Sequence, residues 1–140
     1  LDPVARAHQF LTFSTPPLLQ TAVAEGLGWD GQWYVQMAQE MAARCEYLRQ
    51  ALMAQGYVCL DSHGTYFLNV DLQASGITMG DADFCEAIVR EFGVAAIPVS
   101  AFVSDAEQGR IVRLCFAKPE TVLDEAARRL GQARIILAKR

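Results

Sequence analysis

The chain has 140 residues, with 12 Lys+Arg against 16 Asp+Glu and a net charge of −4. A hydrophobic fraction of 52% and a charged fraction of 20% exclude a disordered chain, and the length suffices to bury a core. The mild acidity and the lack of any basic stripe argue against nucleic acid as a partner.

Residues 1–6 lack the basic start and apolar core of a signal peptide. The absence of an initiating Met reads as a processed product or a piece of something longer. Thr15-Pro16-Pro17-Leu18 predicts a helix start, with Thr15 as the cap and Pro16 in the first helical position. Leu18, Leu19, Ala22 and Val23 supply its apolar stripe, and Gly26 is expected to end it in a left-handed conformation. A long helix is predicted over residues 31–55. Tyr34, Met37, Met41, Cys45, Leu48 and Leu52 recur at steps of three and four along one face, and Gly56 stops it.

Residues 57–60 predict a short strand, 61–64 a turn and 65–72 a second strand. A polar loop over 73–80 leads to a helix that Asp81 or Asp83 can cap. It carries Phe84, Cys85, Ile88 and Val89 inward and ends at Gly93. Residues 94–98 read as an apolar strand, 98–109 as an irregular loop and 111–117 as a strand with Arg113 near its middle. Pro119 opens a last helix to about residue 138, with a stripe of Val122, Leu123, Ala126, Ala127, Leu130, Ala133 and Leu137. The expected fold class is α+β: a small, mostly antiparallel sheet covered on one face by helices and preceded by a long inter-domain helix.

No run approaches the ~20 apolar residues of a membrane helix. Cys45, Cys59, Cys85 and Cys115 form no C-x-x-C pair and read as buried thiols in a reducing, cytoplasmic compartment. His8 and His63 lie far apart, so no metal site is expected.

Arg113 carries the clearest chemistry. Alternation puts it on one strand face with Ile111, Cys115 and Ala117, and puts Val112, Leu114 and Phe116 on the other. An arginine among apolar residues needs its charge paired or its head in water. It serves either an internal ion pair or a planar fork that grips a carboxylate. Composition alone leaves both open.

Several motifs share one resemblance. Gly64-Thr65-Tyr66-Phe67, Phe84-Cys85, the run 93–102 and Ile111-Val112-Arg113-Leu114-Cys115-Phe116-Ala117-Lys118 resemble the C-terminal part of class I (fold-type-I) pyridoxal-phosphate aminotransferases. His8-Gln9-Phe10-Leu11-Thr12-Phe13, with Thr15-Pro16 and Gln20, is similar to the segment just past those enzymes' active-site lysine. The methionine and kynurenine aminotransferase subgroup is the nearest in pattern.

The resemblance implies that Arg113 grips the α-carboxylate shared by amino acid and 2-oxo acid substrates. It implies that Phe13 and Ser14 reach toward the neighbouring subunit's pocket in a homodimer, although Phe13 could equally be a core aromatic. It divides the chain into residues 1–27, a large-domain and dimer-contact segment; 28–55, the bridging helix; and 56–140, the small C-terminal domain. Severed from the large domain, residues 1–27 are expected to self-associate. Two departures bear on specificity: Val103 follows Phe102 where many relatives have tyrosine, and Ser14 stands where the subgroup often has histidine.

The same resemblance puts the Schiff-base lysine upstream of Leu1, since Lys118 and Lys139 lack its context. Pyridoxal 5'-phosphate then belongs to the full-length enzyme, and the 140 residues alone are expected to bind none and to be inactive. The competing reading is a stand-alone α+β module that binds amino acids without catalysis.

Overall fold

A computed structural model describes residues 2–11, 14–103 and 109–139. The chain divides into two compact units, residues 1–37 and 38–140, with the boundary inside one long helix. Each unit is described by itself.

The first unit holds α1 (Asp2–Leu11), α2 (Pro17–Leu27) and the first turns of α3 (Gly31–Ala54). Sequence periodicity did not anticipate α1. Asp2 lies in its first turn, where a negative charge opposes the helix dipole, and Pro3 is tolerated there because early N–H groups lack helical partners. The start of α2 also differs from expectation. Pro16 is the N-cap and Pro17 takes the first helical position, so Thr15 caps nothing. Nor is Gly26 a left-handed stop. The helix runs on to Leu27 and closes on Gly28 at φ −82°, whose N–H donates to the Glu25 carbonyl. A right-handed closing turn needs no glycine-specific backbone. Tyr34 adds a hydroxyl bond to the Gly26 carbonyl. No residue of α2 is buried, and Leu18 is 80% exposed.

The second unit is a four-stranded antiparallel sheet in the order β1-β2-β4-β3, packed against helices. Its strands are β1 (Val58–Cys59), β2 (Phe67–Asp71), β3 (Ile97–Pro98) and β4 (Ile111–Cys115). The strands expected over 57–60, 65–72 and 111–117 pair in one sheet, and the one expected over 94–98 joins it as the short edge β3. All are shorter than their apolar runs, because a residue is strand only where a neighbour completes its ladder. Residues 94–96 therefore stay irregular, and residues 99–102 of the expected loop form a 3₁₀ turn, Val99–Phe102.

Alternation works on β2 and β4 as the sequence implied. Leu68, Val70, Val112 and Leu114 are buried, while Phe67, Asn69, Asp71, Ile111, Arg113 and Cys115 are only half-buried. The buried side joins one core with Leu48 and Leu52 of α3, Phe84 and Ile88 of α4 (Asp81–Phe92), and Leu123, Ala127 and Leu130 of α5 (Glu120–Leu137). Each such aliphatic or aromatic side chain contributes about 1.5–3 kcal/mol by leaving water. The α3 stripe is buried only from Cys45 onward; Met37 is 42% exposed. Val122, assigned to the α5 stripe, is 49% exposed.

Neither Asp81 nor Asp83 caps α4; Gly80 is the N-cap, and both aspartates sit in the first turn. Gly93 ends α4 at φ +66°, a left-handed backbone that glycine adopts without steric cost.

All four cysteines are free thiols. Cys45 and Cys85 are buried, whereas Cys59 and Cys115 are only half-buried. Burial is the main cause that pushes the Cys85 thiol up to about 11, with Asp81 adding repulsion. Alkylation needs the thiolate. Iodoacetamide at pH 7.5 should therefore leave Cys85 unmodified in the folded chain, as read by peptide mass spectrometry. Modification of Cys85 at the rate of an unfolded control would show that α4 opens readily.

Candidate functional site

The half-buried sheet face presents Arg113 between two aromatic rings. Its guanidinium carbon lies 5.2 Å from the Phe67 ring centroid and 5.3 Å from that of Phe102. Ring faces attract a cation, by roughly 0.5–2 kcal/mol each depending on desolvation. Among the described residues Arg113 makes no ion pair with a carboxylate.

Each wall has its own support. Phe67 opens β2 two residues after Thr65, which takes φ +62° and accepts the Phe67 N–H on its hydroxyl at 3.2 Å. A β-branched residue rarely adopts that left-handed backbone. Tyr66 packs on Phe67 at 4.4 Å between ring centroids. Phe102 ends the 3₁₀ turn and is 64% exposed. The turn is tied to α4, since Ser100 donates its N–H and its hydroxyl to the two oxygens of the buried Asp81 carboxylate.

Register places Asn69 directly opposite Arg113 on one side and Ile97 on the other. The Asn69 Oδ1 is buried and has no hydrogen-bond partner among the described residues. Leaving an acceptor unmet costs about 1–3 kcal/mol; the residue opposite it in the ladder is Arg113, whose side chain carries only donors.

The other sequence candidates fall elsewhere. Phe13 lies outside the described residues. Ser14 is an exposed bend residue before α2, in the first unit. His63 is exposed in the irregular segment between β1 and β2. Lys118 and Lys139 are both exposed, one at the entry to α5 and one just past its end. A separate groove of about 530 Å³ opens between Val94, Leu114, Lys118, Val122, Ala126 and Arg129; Arg113, Phe67 and Phe102 do not line it. No group of metal-ligating side chains occurs among the described residues. No helix among them is long and apolar enough to cross a membrane.

Sequence reasoning missed Phe67, Asn69, Phe102 and the Asp81–Ser100 pair as site elements. Alternation on β2 could have put Phe67 and Asn69 on one face. Which face met Arg113 depended on strand order and register, which no local pattern carries.

Comparison with known proteins gives this geometry a context. Methionine aminotransferase of Escherichia coli K12 is 39% identical over 129 residues, covering 92% of this chain and 33% of that protein. A probable N-succinyldiaminopimelate aminotransferase of Mycobacterium tuberculosis is 35% identical over 146 residues, covering 98% of this chain and 36% of that protein. Among solved structures, the N-succinyldiaminopimelate aminotransferase of M. tuberculosis superposes with a TM-score of 0.77 at 36% identity, over 89% of this chain and 33% of that one. The E. coli methionine aminotransferase does so with a TM-score of 0.73 at 39% identity, over 91% of this chain and 33% of that one. The chain thus spans about a third of the length of the curated relatives it matches. Residues 1–130 match the family described as aminotransferase class I and II, and the chain belongs to that family.

Proposed function

We propose that this chain is the substrate-carboxylate side of an aminotransferase that moves an amino group between an amino acid and a 2-oxo acid. The observation that carries the reading is Arg113, stacked between Phe67 and Phe102 with no carboxylate partner among the described residues. A permanent internal acid would have to be displaced by substrate, and breaking such a pair costs about 3–5 kcal/mol when buried. An arginine held by ring faces instead keeps its N–H fork for an incoming carboxylate.

Every amino acid and 2-oxo acid presents that carboxylate, so Arg113 serves both half-reactions. Relatives named for methionine and for kynurenine favour a sulfur-containing or aromatic amino acid here. An aromatic wall such as Phe102 suits an apolar side chain. Phe13 and Ser14 complete the pocket from the partner subunit of a homodimer. The wholly exposed α2 stripe leaves apolar area for that contact. Free thiols throughout suit the cytoplasm.

Pyridoxal phosphate, which the family implies, supplies the electron sink that stabilises a carbanion at the substrate α-carbon. The residues described do not form its covalent site. Lys118 borders the separate groove rather than the Arg113 face, and Lys139 follows the end of α5. What this chain does is bind and orient the carboxylate.

Two proteins test this: the 140 residues alone and the full-length enzyme, each mixed with pyridoxal phosphate, an amino acid and a 2-oxo acid. The 140 residues should show no lysine-bound cofactor absorbance and no amino transfer, while the longer protein should show both. Turnover by the 140 residues, or none from the longer enzyme with any amino acid tried, would overturn the reading.

A further inference from the structure

The 3₁₀ turn that carries Phe102 has no core anchor of its own. None of residues 99–102 is buried, and Phe102 is 64% exposed. Its ring is nevertheless placed 5.3 Å from the Arg113 guanidinium. The turn rests on α4 and β4 without burying any of its residues, so polar contacts weigh heavily in that placement. The polar contact that reaches the turn comes from Asp81, the first residue of α4, which is only 2% exposed.

One Asp81 oxygen accepts the Ser100 N–H at 2.8 Å and the other accepts the Ser100 hydroxyl at 2.7 Å. The Asp81 N–H donates to the Gly109 carbonyl at 2.9 Å. One residue thus grips the chain on the Phe102 side and again just before β4, the strand of Arg113. With three residues per 3₁₀ turn, pinning the Ser100 backbone and hydroxyl sets the direction in which Phe102 leaves two residues later. No Lys or Arg pairs with Asp81 among the described residues. A buried carboxylate without a cation is a costly anchor, met here by two donors and by the positive end of α4.

We propose that Asp81 is a positioning residue for the substrate site, acting through Ser100 to seat Phe102 against Arg113. The proposal rests on Arg113 as the carboxylate grip. It adds that the grip depends on a residue outside the pocket, 32 positions earlier in the chain, that does not touch substrate.

The test uses the full-length enzyme with Ser100→Ala, Ser100→Thr, Asp81→Asn, Phe102→Leu, the double variant Ser100→Ala/Phe102→Leu, and Arg113→Lys. Ser100→Ala should raise KM for the amino acid roughly three- to tenfold, with kcat changing much less; this is below the full effect of losing a hydrogen bond to a charged group, because the Ser100 N–H still holds the other Asp81 oxygen. Ser100→Thr keeps the hydroxyl and should restore KM. The double variant should be no worse than Phe102→Leu alone, because both act through one ring. Asp81→Asn should follow Ser100→Ala in KM, and a fall in melting temperature on its part leaves the Ser100 series to decide. An unchanged KM in Ser100→Ala, or KM effects of Ser100→Ala and Phe102→Leu that multiply, overturns the proposal. If Arg113→Lys binds substrate normally, the carboxylate reading fails and takes this one with it. If Arg113→Lys is impaired while Ser100→Ala is not, this proposal alone fails.

Discussion

Arg113→Ala in the full-length enzyme should lower kcat/KM for amino acid substrates by at least a hundredfold while leaving the melting temperature nearly unchanged. A bidentate arginine–carboxylate contact supplies two charge-assisted hydrogen bonds, each about 1.5–3 kcal/mol. Losing about 3 kcal/mol or more corresponds to two or more decades, since ~1.4 kcal/mol is tenfold. Folding is spared because Arg113 is half-buried on the sheet face away from the core, with ring contacts rather than a buried ion pair. Arg113→Lys keeps the charge but loses the planar fork and stacks less well on Phe67 and Phe102, so it should fall between the two. Steady-state kinetics beside thermal melts decide the matter. Near-normal efficiency in both variants, or unfolding of both, would make Arg113 a structural residue.

Phe84→Ala should have the opposite profile, with a large loss of stability in the unit 38–140. Phe84 is 1% exposed on α4 and belongs to the core shared with Leu68, Val112 and Leu130. Removing a buried phenyl ring costs about 3–5 kcal/mol, from lost burial and from the cavity left behind. That is a large part of the 5–15 kcal/mol of a whole domain. Urea titration should show the midpoint falling with little change in slope. A loss below about 1 kcal/mol would mean that the helices close over the gap and that the core is loosely packed.

The two predictions separate because the sheet has two faces with different work. That separation is readable in the run 111–115, where Val112 and Leu114 alternate with Ile111, Arg113 and Cys115. It follows from the period of two in a strand and needs no knowledge of neighbours. Helix interiors were read in part: Cys45, Leu48 and Leu52 recur at helical spacing and are buried, whereas Val89 and Val122, read as inward, are 51% and 49% exposed. The stop at Gly93 was readable, since the chain there takes the left-handed backbone that glycine permits. Helix starts were read less well. Prolines 16 and 17 compete for one position, and capping depends on where the preceding chain arrives.

Local pattern alone thus determined the α+β class, the antiparallel strands, much of the core in the unit 38–140 and Arg113 as the residue to watch. Those properties arise from the spacing of apolar side chains and from the scarcity of charge in strands. Tertiary structure decided what surrounds Arg113. Asn69 comes opposite it through strand register, 44 positions away in the chain. Phe67 and Phe102 arrive from a strand and a 3₁₀ turn on either side. Asp81 reaches Ser100 across 19 residues. Strand order and register are set by how the sheet closes over its helices, a balance summed over the whole core, so no single segment carries it.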